Sequence, residues 1–141
     1  MAGGLEIAGL FYFGAVKFAG YSLAARFLRS RYAGNNSNSF LVGGARTAIG
    51  FAAGLGAVAI ASAMHIGVPS PAWYVLLLPI RLLEWLAVIW FFYERPVWEP
   101  SAGRRWARML GWSTLGIAWS ALLDIPAVTA VFVLPGGAWI C

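Results

Sequence analysis

Four long apolar stretches divide the chain, at about 5–28, 40–66, 72–93 and 106–134. None shows the strict polar–apolar alternation of a half-buried strand. A helix needs about 20 residues to cross a hydrocarbon core of about 30 Å, whereas a membrane strand needs about 9–11 alternating residues. Backbone groups in lipid must also hydrogen-bond internally. The pattern predicts an all-α integral membrane protein, a four-transmembrane-helix bundle forming one domain over 1–141.

The breaks are polar or rich in helix breakers. Gly34-Asn35-Asn36-Ser37-Asn38-Ser39 separates the first two stretches, and Gly67-Val68-Pro69-Ser70-Pro71 the next two. A longer polar segment runs from Glu94 to Arg105, and Pro135-Gly136-Gly137 ends the fourth stretch. The first stretch has no basic residues before it, so a membrane span is expected there rather than a cleaved signal peptide.

Composition agrees with a lipid solvent. The 141 residues are 61% hydrophobic and 11% charged, with a mean hydropathy of +0.76. Soluble domains carry about 25% charged residues. The net charge of +5 suggests nucleic acid at first sight, but the placement of the arginines points elsewhere. Arg26, Arg29 and Arg31 flank the first polar loop, and Arg95, Arg104, Arg105 and Arg108 flank the third. The N-terminal tail, second loop and C-terminal tail carry no Lys or Arg. The positive-inside rule then puts both long loops in the cytoplasm and both termini outside, an N-out/C-out topology. A bacterial-type inner membrane is the expected location, with membrane lipids as partners and no nucleic acid. Trp73, Tyr93, Trp98, Trp106 and Trp139 fall near the expected interfaces.

The charges inside the spans change the picture. Lys17 lies in the first span, Arg81 and Glu84 in the third, and Asp124 in the fourth. At 1.5 Å per residue they sit roughly 14–20 Å from the outer boundary, in one slab. Buried charges cost several kcal/mol unless paired. Arg81 and Glu84 are three apart and share a helix face, so they are expected to pair locally. Lys17 and Asp124 then form a second pair, or all four join one neutral network. Pro79 and Pro126 lie two residues from Arg81 and Asp124, where they release the carbonyls of Val75 and Leu122.

Secondary candidates surround this set. Glu6 shares a stripe with Lys17. Arg46 is expected near the cytoplasmic boundary, snorkelling to head groups. His65, the single histidine, is expected to be an interfacial polar residue, or a proton relay toward Glu6 or Asp124. Ser113, Ser120 and Asp124 give the fourth span a polar face. Trp85, Trp112 and Trp119 are the deep candidates for an aromatic pocket. Gly50, Gly54, Ala57 and Ala61 form a small-residue ladder containing GxxxG, which predicts a close helix contact, either in a homo-oligomer or with a partner membrane subunit.

No cofactor is identified by the sequence. One cysteine, Cys141, excludes an internal disulfide, and one histidine excludes a His-ligated metal site; no metal ligands and no catalytic residues are assigned. Hydrolase, zincin, P-loop and dinucleotide motifs are absent. Three function classes follow: a protein that binds or transports a small solute, ion or lipid-like ligand; an accessory or structural subunit of a membrane complex; and a membrane enzyme acting on a lipid-like substrate.

Overall fold

The computed structural model describes residues 2–32, 36–67, 70–95 and 102–131; the side chains of 2–7, 102 and 127–131 are left aside. Helix α1 spans Ala2–Arg31, α2 Ser39–Ala63, α3 Pro71–Ile89 and α4 Ala102–Val131. A single π-helical turn, Trp90–Glu94, extends α3. There is no strand among the described residues. Expectations resting on Asn35, Pro69, Trp98, Trp139 and Cys141, and on the side chain of Glu6, fall outside this description.

Local sequence sets the helix ends. Asn38 caps α2 by accepting from the backbone N–H of Phe40 at 2.9 Å and Leu41 at 3.4 Å. Ser70 caps α3, accepting from Trp73 N–H at 3.2 Å, with Pro71 in the first turn where its missing N–H costs nothing. The far end of α2 closes in a Schellman motif. The N–H of His65 reaches Ser62 O, that of Ile66 reaches Ala61 O, and His65 adopts a left-handed φ of 56°. His65 is exposed there, and its place is set by the turn.

Two helices are long and apolar enough to cross a membrane, Ser39–Ala63 and Pro71 through Glu94. The helices carry many large apolar side chains on the outside, and an otherwise apolar interior holds several polar and charged ones. Phe11, Leu23, Phe40, Leu55, Val75, Leu83 and Leu115 are exposed, whereas Lys17, Arg46, Glu84, Glu94, Ser113 and Ser120 are buried. Along α3, a charged layer at Arg81 and Glu84 separates two apolar clusters. One contains Trp73 and Leu77 packed on Ala57 and Ala61; the other contains Trp85, Val88, Ile89 and Tyr93. Trp73 and Tyr93 therefore pack inside the bundle. The Tyr93 hydroxyl donates to Ala25 O at 2.9 Å, a partner available only inside.

Helices α1 and α2 approach each other closely at Gly43. A β-carbon at Gly43 would sit 2.8 Å from Ser22 N and 2.9 Å from Ser22 Cα. Those are backbone atoms, so the two helices must separate to admit it. Gly43→Ala should cost about 1–3 kcal/mol, measured by unfolding in detergent. Gly56 has nothing within 4 Å of such a carbon, and Gly56→Ala should be neutral or stabilising by about 0.5–1 kcal/mol. Gly50 and Gly54 are buried within the chain, so the space that this ladder leaves opens inside the bundle.

A charged core joined across four helices

Asp124 of α4 is the hub of the first cluster. It takes an ion pair from Lys17 of α1 and a second, at 2.8 Å, from Arg81 of α3. Lys17 is 1% exposed and Asp124 24%. The Lys17 ammonium also donates to Ser120 O at 3.3 Å, and lies 5.2 Å from the Phe13 ring centroid and 5.7 Å from that of Tyr21.

The second cluster departs from expectation. Arg46 does not snorkel: it is 2% exposed and pairs through Nη2 with Glu84 Oε2 at 2.6 Å. Glu84 thus takes its ion pair across the bundle from α2, and Arg81 reaches to Asp124. Physically, both long cations gain a carboxylate on another helix, where they fix packing, and aromatic rings cover the Arg46 guanidinium. Its carbon lies 4.8 Å from the Tyr21 ring centroid and 5.2 Å from that of Trp85.

Tyr21, Trp85 and Ser120 tie the two clusters together. The Tyr21 hydroxyl and Trp85 Nε1 both donate to Ser120 Oγ, at 3.3 and 3.0 Å. Tyr21 and Trp85 meet edge-to-face, and the Trp85 ring packs so closely on α4 that Gly116 opposite it has no room for a β-carbon. Trp119 Nε1 donates to Gly20 O at 2.9 Å, fastening α4 to α1.

Two cavities border this core. A small one of about 20 Å³ is lined by Tyr21, Arg46, Gly50, Gly54, Arg81 and Glu84, with Leu77 and Ile80. An apolar groove of about 680 Å³ lies between α1 and α4, and Trp85, Trp112 and Trp119 line it. His65 lies at the turn after α2, at the opposite end of that helix from Arg46.

A third cluster has no counterpart in the expected set. Glu94, on the π turn, is 0% exposed and accepts from Arg108 at two bonds of 2.7 Å and from the Tyr32 hydroxyl at 2.7 Å. Arg105 approaches it at 3.6 Å. Burial, and then the bond to Glu94, push the Tyr32 hydroxyl well above its usual pKa, so it stays a donor. The wide turn also bonds Arg95 N–H back to Trp90 O, and Ser37 donates to Phe92 O at 2.9 Å. The only sequence signal for this cluster was a glutamate directly following an apolar span.

No protein-family model, curated protein or solved structure matches the chain.

Proposed function

We propose that the chain is a multi-pass membrane protein, a four-span bundle with both termini outside, that binds or passes a small ion at its charged core. The large apolar side chains exposed on all four helices, together with five charges paired inside, support the membrane reading. A helix carrying Lys17 or Asp124 is tolerated in lipid when its charges face partners inside a bundle.

The observation that carries the ion reading is the 20 Å³ cavity reached by Arg46, Arg81 and Glu84. A void of about 10–15 Å³ suffices for one water-sized occupant. A second reading, an accessory subunit stapled by its ion pairs, draws support from the direct pairing of Lys17 and Arg81 with Asp124.

Topology is tested by single-cysteine labelling in a Cys141→Ser background. An impermeant maleimide applied to intact cells should label Gly67→Cys at once and Asn36→Cys only after permeabilisation. Labelling of both from outside would sink the four-span reading. The ion site is tested by the melting temperature of the purified protein across salts at constant ionic strength. Dependence on ion identity is expected; one temperature in every salt would leave the staple reading.

A further inference from the structure

The groove between α1 and α4 is walled by carbon. Leu23 and Phe27 of α1 and Leu115 and Leu122 of α4 line it and are exposed, while Trp85 of α3, also lining it, is buried. The indole N–H groups of Trp85 and Trp119 are spent inside the bundle, on Ser120 Oγ and Gly20 O. Those two rings therefore offer an occupant apolar surface and no hydrogen bond. The volume of about 680 Å³ lies within the range of about 300–1,000 Å³ typical of ligand sites.

One end of the groove is basic. On α4, Arg104, Arg105 and Arg108 precede the groove residues Leu115, Gly116 and Trp119 by eleven positions each, which is about 20° around a helix. The arginines thus continue the stripe that lines the groove. On α1, Arg31 follows Phe27 by one turn and lies 5.0 Å from its ring centroid. The two helices meet at this end. Phe27 packs edge-to-face on Trp112, and the Arg108 guanidinium lies 5.4 Å from the Tyr32 ring centroid. Arg105 and Arg108 hold Glu94, whereas Arg31 and Arg104 are exposed.

We propose that this groove holds an acyl chain of an anionic phospholipid, with the phosphate in the field of Arg31 and Arg104. The proposal rests on the membrane reading above and adds a second site, apart from the charged core. Hydrocarbon suits walls that offer no hydrogen bond, and an anionic head group suits the basic end. A zwitterionic head group would bring its own cation to the arginines. A second copy of the chain, inserted with the same orientation, would bring its arginines to the same level, and like charges would face each other across a two-fold contact.

The test uses the full-length protein purified in a neutral detergent, with melting temperature followed as phosphatidylglycerol, phosphatidylcholine or soluble glycerol phosphate is added. A saturable rise with phosphatidylglycerol is expected, because a ligand that binds the folded state stabilises it. Half-saturation should come at a concentration about tenfold or more below that of phosphatidylcholine. Glycerol phosphate should have no effect. Ala118→Phe puts a ring into the groove from an exposed lining position and should abolish the rise while the protein still folds. Arg31→Gln together with Arg104→Gln should raise the half-saturating phosphatidylglycerol concentration about tenfold or more and leave that of phosphatidylcholine unchanged.

Equal responses to the two lipids overturn the proposal, as does a phosphatidylglycerol response untouched by Ala118→Phe or by the arginine pair. A glycerol phosphate response equal to that of the lipid would assign the basic end to free phosphate and overturn it too. Disulfide-linked dimers of Leu115→Cys in the Cys141→Ser background, formed regardless of lipid, would seat a second copy in the groove instead. An absent lipid response with the Gly67→Cys and Asn36→Cys labelling pattern intact removes the lipid site alone; loss of that labelling pattern removes the membrane reading and the lipid site with it.

Discussion

Asp124→Asn should destabilise the protein by about 3–5 kcal/mol, the usual cost of stranding a buried charge by removing its partner. Two cations depend on this carboxylate, and they are not equally exposed to the loss. Arg81 is 13% exposed and sits three residues from Glu84 on the same helix, so it retains a route to a second carboxylate. Lys17 is enclosed by Phe13, Tyr21 and the α4 backbone, and has no such route. Most of the cost therefore falls on Lys17, and Lys17→Met in the Asp124→Asn background should recover part of it. The triple variant Lys17→Met, Arg81→Met, Asp124→Leu should return to within about 1–2 kcal/mol of the starting stability, since well-packed apolar groups often replace buried ion pairs without loss. Denaturant titration in mixed micelles measures all three. A loss below about 1 kcal/mol for Asp124→Asn alone would show that the cluster is water-exposed and that the bundle is not held by it.

Four helices, and the inward position of Lys17, Arg81, Glu84 and Asp124, follow from two things visible in the sequence: long apolar runs, and charges too far from the ends to reach water. Pairing is different, because it depends on how each helix is rotated about its axis. Arg81 and Glu84 share a face by spacing alone, which favours a local pair. The structure instead uses the helix crossing of α2 on α1, fixed at Gly43 and Ser22, to carry Arg46 across to Glu84. Nothing at the level of periodicity distinguishes an arginine one or two turns inside a boundary from one that snorkels, since its long stem allows either. The Glu94 cluster was hidden for another reason. Polar composition marks residues 94–105 as a loop, yet the π turn continues the helix and tucks Glu94 inside. The position of His65 is set by its backbone, which takes the left-handed turn that closes α2.

Glu94→Ala should cost about 3 kcal/mol, because it removes one acceptor from three helices at once. Tyr32 closes α1, Glu94 ends α3, and Arg105 and Arg108 begin α4. The arginines are 29% and 33% exposed and can turn outward when the carboxylate is gone. Tyr32 is buried, and its hydroxyl would be left without its acceptor, a penalty of about 1–3 kcal/mol. The emptied space beside it adds a cavity cost. Glu94→Gln keeps the volume and one acceptor oxygen but loses the two-bond clasp on Arg108, so about 1–2 kcal/mol is expected. Tyr32→Phe removes the donor and spares the orphaned hydroxyl. The double variant Tyr32→Phe, Glu94→Ala should therefore be more stable than the sum of the single losses implies, by at least about 0.5 kcal/mol. Strict additivity in that cycle would mean that Tyr32 and Glu94 do not share a bond that matters, and that the three helix ends are fastened independently.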